Sequence, residues 1–343
     1  MSGTSLDGID LGLFQFMLSD LGAWNFEIIV AETTPYTHSW KNRLKAAVAF
    51  SDTDLRCLNS EYTRHLSEVI LTFITNNNIE NLDAVCSHGH TILHQPSRGF
   101  TLQIGNLPEL AALIKQTVIC DFRVQDVALG GQGAPLVPIG DRLLFGQYDY
   151  CLNLGGFANV SSELNGKRIA YDICPVNIVL NRYAEKLGEP FDTGGRFAAK
   201  GKVNSELLKK LEAIPFYSQT PPKSLGLEWV IEQFFPILEA SGLSNIDILS
   251  TVSEHIAIQI AAQFQEGASV LITGGGAYNK YLIARIKAVK TIQLVLPLSN
   301  IIEFKEALIF GLLGVLRLRD EPNCLASVTG ARKDHSSGFM YFP

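Results

Sequence analysis

Met1 to Gly8 reads Met-Ser-Gly-Thr-Ser-Leu-Asp-Gly, a stretch with the chemistry to handle phosphate. Gly3 and Gly8 permit backbone angles that bring N–H groups close to an anion. Thr4, Ser5 and Asp7 can serve phosphate oxygens or hold Mg²⁺ through water. The same composition also fits a frayed chain end carrying a helix cap. The run after the turn favours the first reading: Ile9-Asp10-Leu11-Gly12-Leu13-Phe14-Gln15-Phe16 alternates as a half-buried strand does. A turn feeding a strand directly points to a phosphate-binding hairpin, because a Walker loop opens a helix instead. The first arm of such a hairpin would lie upstream of Met1.

Five further clusters sit beside strand-like or helical runs. Ser87-His88-Gly89-His90-Thr91, with His94 close behind, adjoins an apolar run at 84–86. Three histidines suggest a metal, but no carboxylate cluster adjoins them, and hydrogen bonding to a polyhydroxylated ligand is the better reading. Asp121 and Arg123 share the mouth of the strand expected at 118–120, either pairing with each other or facing a ligand. Gly130-Gly131-Gln132-Gly133 exposes backbone, as a hinge or as a ligand loop. Asp172 and Asn177 come after a strand expected at 168–170, where an aspartate is either a helix cap or a base. Gly274, Gly275, Gly276 and Ala277 join the strand 269–273 to a helix. Three glycines there cost chain entropy, which close approach to a ligand would offset. Glu306 is expected near the start of the last long helix, 304–318, where an acid also suits the helix dipole.

The elements that must position these groups form two clusters. Strands are expected at 9–16, 26–32, 84–87 and 118–120, with helices at 41–50 and 54–76. A second strand, glycine turn and strand at 150–161 repeats the opening plan, with helices after it at 178–187, 203–211, 227–238 and 247–265. Two such halves suggest a duplicated α/β unit with a nucleotide cleft. At 343 residues, 47% hydrophobic and 18% charged, the chain is long and apolar enough for two cores. A net charge of −6 argues against a nucleic-acid or anionic membrane surface. No apolar run reaches the length of a membrane span and no signal segment opens the chain, so a cytoplasmic protein is expected. The six cysteines are scattered, without metal-ligand spacing, and read mostly as buried free thiols.

Taken together, these stretches resemble the anhydro-N-acetylmuramic acid kinases of cell-wall recycling. Besides the opening segment, the matching motifs are Ser-His-Gly-His-Thr at 87–91, Gln-Ile-Gly-Asn at 103–106, Asp-Phe-Arg at 121–123 and Gly-Gly-Gln-Gly-Ala-Pro-Leu-Val-Pro at 130–138. Asn-Leu-Gly-Gly-Phe-Ala-Asn-Val at 153–160, Pro-Pro-Lys-Ser at 221–224, Gly-Gly-Gly-Ala-Tyr-Asn at 274–279 and Ser-Val-Thr-Gly-Ala at 327–331 match as well. The resemblance implies two ribonuclease-H-like domains of the sugar kinase, Hsp70 and actin superfamily, expected here at 1–128 plus 319–343 and at 129–318. It implies ATP, Mg²⁺, an anhydrosugar substrate and a homodimer. Carried over, Gly3, Thr4, Ser5, Leu6, Asp7, Gly8, Ile9 and Asp10 form the ATP phosphate loop, and Gly274 to Ala277 meet the adenosine. Asp172 becomes the base that activates water and Glu306 a second acid of the sugar site. His88, His90, Asp121, Arg123 and Asn177 face the sugar.

The chain departs from the family pattern at several positions. Cys174 and Val176 replace the glycines of Asp-x-Gly-Pro-Gly-Asn, His90 replaces a glutamine, and residues 294–304 lack an acidic, glycine-containing loop. The first departure raises the expectation of a weakly catalytic binding homologue, the second of a kinase for a related anhydrosugar. Family members also carry a central strand ahead of Met-Ser-Gly-Thr, so either the start lies upstream of Met1 or another segment fills that place.

Overall fold

The computed structural model describes residues 1–3 and 6–343. Its strands are β1 (Gly8–Leu18), β2 (Trp24–Pro35), β3 (Val85–Ser87), β4 (His90–Gln95), β5 (Phe100–Ile104) and β6 (Val118–Cys120). They continue with β7 (Tyr150–Leu154), β8 (Phe157–Leu164), β9 (Lys167–Pro175), β10 (Ser269–Thr273), β11 (Gln293–Val295) and β12 (Phe339–Tyr341). The chain divides into two units, Met1–Leu144 with Phe304–Pro343, and Phe145–Glu303.

In the second unit five strands lie in the order β11-β10-β7-β8-β9. β7, β8 and β9 form an antiparallel meander, while β10 runs parallel to β7 and β11 parallel to β10. Counted within the unit, that order is 5-4-1-2-3 with the second strand reversed, the ribonuclease-H-like arrangement. Leu152, Leu154, Val270 and Ile272 are buried in the core, as the near-continuous apolar runs of strands covered on both faces require. The helix Asn245–Ala261 is started by Ser244, whose side chain accepts from the Asp247 amide. It buries Ile248, Val252, Ile256 and Ile260 on one stripe at four-residue spacing.

The first unit holds the antiparallel hairpin β1-β2, the sheet β12-β6-β3 and the hairpin β4-β5. The helix Asp52–Asn76, capped by Ser51, buries Leu55, Leu58, Tyr62, Leu66, Ile70 and Phe73 against the hairpins. β1 and β3 are not paired with each other. Between them runs a groove of about 510 Å³, lined by Ile9, Leu11, Phe14, Val85, Cys86 and Phe310 among others. Residues 1 and 2 make isolated pairings beside β1 and β4. Met1 N donates to Asp10 O at 2.7 Å, Asp10 N donates to Met1 O at 2.8 Å, and Ser2 bridges His90 in parallel.

Two expected boundaries move. The units divide at 144/145 and 303/304 instead of 128/129 and 318/319, because most of the last helix packs into unit 1. That helix is Ser299–Leu318, and a Cβ at Gly314 would collide with the Cys86 sulfur. A buried ion pair, Lys305 Nζ to Asp141 Oδ1 at 2.7 Å, fastens the helix to the segment Pro138–Leu144. Glu306 therefore lies well inside the helix, where no dipole contribution accounts for it. No helix among the described residues is long and apolar enough to cross a membrane.

Candidate active site

In unit 1 the polar groups at the ends of β3 and β6 form one connected network. β3 ends at Ser87, whose hydroxyl donates to Asn106 Oδ1 at 3.1 Å. Asn106 Nδ2 donates to His88 O at 3.2 Å and to Asp121 Oδ1 at 2.9 Å. Arg123 Nε donates to His88 Nε2 at 2.9 Å, and its Nη1 to Gly133 O at 2.7 Å. Asp121 and Arg123 thus do not pair with each other, and the glycine loop at 130–133 is tied into unit 1. Asp121 has φ +56°, a left-handed backbone that a residue with a Cβ adopts at some cost and that often marks a working site.

The electrostatics come from crowding. Burial lowers the His88 pKa well below the usual histidine value, and the neighbouring Arg123 guanidinium lowers it further. His90 is held to about 4 by burial alone, while its Nδ1 meets Ser2 Oγ at 2.8 Å. Ser2 Oγ also bonds Tyr36 OH at 2.7 Å, which in turn bonds Tyr62 OH. Each histidine of the 88–94 cluster has its own partner, His94 Nδ1 meeting Thr101 Oγ1 at 3.0 Å, so the three do not converge on one point. Glu306 keeps exposed surface, yet desolvation around its carboxyl raises its pKa, opposed by Arg123. Asp121 is raised by burial, with the Asn106 bond working against the shift.

Of the expected phosphate loop, Thr4 and Ser5 lie outside the described residues. Leu6 N donates to Gly3 O at 3.3 Å, and Leu6 takes φ +59°. Asp7 is exposed, and Asp10 Oδ1 accepts from Thr33 Oγ1 at 2.6 Å. Gly8 and Ile9 are buried where β1 begins. A Cβ at Gly8 would collide with Thr34 O, so the hairpin partner β2 already demands that glycine.

In unit 2, Asp172 stands within β9 and not after it, opposite Asn159 beside a register shift. It caps no helix: Val176, which precedes the helix Asn177–Glu185, makes no side-chain cap bond. Its Oδ2 accepts from Leu225 N at 2.8 Å, and its backbone N donates to Lys223 O at 3.0 Å. Burial raises the Asp172 pKa and the Leu225 amide partly offsets this. The segment 221–225 is therefore what frames Asp172, a role that spacing alone did not reveal although Pro221-Pro222 marks a rigid turn. Cys174 is fully buried in the core, and burial pushes its thiol up.

Asn177 sits beside the glycine loop. Its Nδ2 donates to Leu154 O at 3.2 Å and lies 3.9 Å from where a Gly275 Cβ would stand. Gly274 has φ +82° and a Cβ there would meet Asn153 Oδ1 at 2.6 Å; one at Gly276 would meet Leu154 Cβ at 2.7 Å. Packing on β7 accounts for those two glycines, and Ala277 is buried behind them. Gly275 alone is left facing open space.

A protein-family model described as anhydro-N-acetylmuramic acid kinase matches residues 1–343. The chain is similar to the anhydro-N-acetylmuramic acid kinase of Mannheimia succiniciproducens, 34% identical over 370 residues that cover 99% of this chain and 97% of the relative. Its Vibrio cholerae counterpart is 32% identical over 368 residues, covering 100% and 97%. That of Pseudomonas syringae pv. tomato is 34% identical over 372 residues, covering 99% and 97%. The two-unit α/β architecture, the site motifs and this whole-length similarity agree, and the chain belongs to the anhydro-N-acetylmuramic acid kinase family.

Proposed function

We propose that the chain opens the 1,6-anhydro ring of anhydro-N-acetylmuramic acid with water and passes the γ-phosphate of ATP to O6, giving N-acetylmuramic acid 6-phosphate and ADP. The similarity along all of residues 1–343 carries this reading. In the reaction a water oxygen bonds to C1 as the C1–O6 bond breaks, O6 takes the phosphoryl group, and the proton of water leaves to a base.

Asp172 is the assigned base. Leu225 N holds Oδ2, which leaves Oδ1 to take the proton, and burial moves the carboxyl toward the range where a base is effective near neutrality. Glu306, Arg123, His88, His90 and Asp121 are assigned to the sugar. His88 spends its one lone pair on Arg123 and so serves the sugar by holding that guanidinium, whose remaining N–H groups donate to it. The turn from Gly3 to Asp10 is assigned to the phosphates. The carboxylates of Asp7 and Asp10 suit Mg²⁺, a hard cation that prefers oxygen donors, and when bound it neutralises phosphate charge. Gly274 to Ala277 are assigned to the adenosine, Gly275 supplying the open backbone and Asn177 an amide beside it. The reading includes a cytoplasmic homodimer, which light scattering on the purified protein tests.

The deciding experiment measures ADP release with anhydro-N-acetylmuramic acid and Mg²⁺ present or omitted. Release that depends on both and is lost in Asp172→Asn is the expected result. A folded protein that releases no ADP under these conditions overturns the reading.

A further inference from the structure

Three side chains that the proposed reaction does not use meet inside unit 1: Asp126, Cys324 and His335. One donor atom of each lies within 4.8 Å of the other two. The residues are 0%, 1% and 6% exposed respectively. Cys324 N donates to His335 O at 3.1 Å and His335 N to Cys324 O at 3.2 Å. The two are thus directly opposed on antiparallel segments and present their side chains on one side. Asn323 locks that pairing, donating to Leu313 O at 2.9 Å and Ser337 O at 2.8 Å. Asp126 is held from the other side by Thr329 Oγ1 on Oδ1 and Gly133 N on Oδ2, both at 2.7 Å.

His335 supplies the second observation. Its Nδ1 lies 3.1 Å from Lys333 O, and a carbonyl only accepts, so Nδ1 carries the proton. Nε2 has no hydrogen-bond partner and faces Asp126 Oδ1 at 3.6 Å. In a neutral imidazole this sets a lone pair against a carboxylate oxygen in a buried place, an arrangement that a cation between them relieves. Donation from the far ring nitrogen to a backbone carbonyl is also how metal-bound imidazoles are oriented.

We infer that Asp126, Cys324 and His335 bind one divalent ion of the zinc class, through a carboxylate oxygen, Sγ and Nε2, with water in the fourth position. The ion's two positive charges are matched by one carboxylate and one thiolate, so the buried site is neutral; the thiol proton leaves to solvent. Bond lengths of about 2.0–2.3 Å place such donors roughly 3.5 Å apart, so separations of up to 4.8 Å close by about 1.3 Å at most. The ion would fasten the segment 323–337 to the loop that holds Arg123 through Gly133 O.

The full-length protein, purified without chelator, is expected to carry close to one equivalent of zinc by plasma mass spectrometry. After stripping, titration with Co²⁺ is expected to give a thiolate-to-cobalt band that saturates near one equivalent. Cys324→Ser should lose the band and His335→Gln should weaken binding at least about tenfold. Cys57→Ser, at an exposed thiol, should leave it intact. If Cys324→Ser does not fold, the wild-type titration still decides. Natively folded protein with neither zinc nor a cobalt band overturns the site, as does a band that survives Cys324→Ser.

Discussion

Arg123 Nε donates to His88 Nε2 at 2.9 Å, and that bond fixes the state of both side chains. A guanidinium never gives up its charge, so His88 must present a lone pair at Nε2 and carry its proton on Nδ1, which lies 2.9 Å from Gly89 O. Desolvation and the positive neighbour both keep the imidazole neutral. His88 is therefore a fixed acceptor and not a proton shuttle, and Arg123 is positioned by it and by Gly133 O together.

Arg123→Lys should expose that dependence. An ammonium reaches one of the two acceptors and cannot copy the planar fork. Leaving one buried partner unsatisfied costs about 1–3 kcal/mol, or roughly 5- to 150-fold in an affinity. The expected effect is a rise of that size in the KM for the anhydrosugar, read by steady-state kinetics, with the ATP KM moved far less. An unchanged sugar KM would count against assigning Arg123 to the sugar.

Asp172→Asn separates catalysis from stability. Loss of a general base is expected to lower kcat by about 10²- to 10⁴-fold. Burial raises the folded pKa of Asp172, so the native state holds this proton longer than the unfolded chain does. Stability therefore falls as pH rises from the unfolded pKa through the folded one, and above that the buried charge is a standing penalty. An asparagine keeps an acceptor for Leu225 N without the charge. Thermal melting near neutral pH should show the inactive variant as stable as the parent or more so, and a large loss of stability would assign Asp172 a structural role.

Period and punctuation make the elements legible. The alternation of residues 9–16 and the stripe of the helix Asn245–Ala261 come from burial on one face, which sequence records directly. Sequence starts the last helix five residues late, although Asn300 with Glu303 three residues on is itself a start signal, and the unit boundary moves separately because the helix packs into unit 1. It also puts Asp172 beyond its strand, because a bulge beside Asn159 is a property of pairing, invisible in either strand alone. The site network is half legible: His88, Asp121 and Arg123 stand out by type. Asn106, which joins two of them, is a single amide whose role exists only once β3 and β6 are adjacent.

The glycine loop allows packing and ligand approach to be told apart. Gly274→Ala puts a Cβ 2.6 Å from Asn153 Oδ1 at a φ of +82°. With ψ at 162° this backbone lies in a region nearly reserved for glycine, where alanine costs about 1–3 kcal/mol, and the contact adds to it. Gly275→Ala meets nothing closer than Asn177 Nδ2 at 3.9 Å. Melting temperatures should therefore fall for Gly274→Ala and stay close to the parent for Gly275→Ala. If the backbone at 275 meets the nucleotide, only the second variant combines normal stability with a raised ATP KM. Equal behaviour of the two in both assays would remove that assignment.

His255 tests the core of unit 2. It is fully buried on the helix Asn245–Ala261, edge-on to Tyr217 at 4.8 Å, and neither ring nitrogen has a hydrogen-bond partner. Burial holds its pKa at about 3. The unfolded chain binds this proton below about pH 6.5. Between the two values the unfolded state holds more protons, so acid destabilises the native state progressively from about pH 6.5 downward, by about 4 kcal/mol at most once pH 3 is reached. His255→Leu replaces unpartnered polar atoms with an apolar group of similar size, which should raise stability by about 1–3 kcal/mol at neutral pH. It should also shrink the loss of melting temperature between about pH 7.5 and about pH 5, because the titrating group is gone. A variant that melts lower than the parent at neutral pH would mean that the ring's packing against Tyr217 outweighs its two unsatisfied nitrogens.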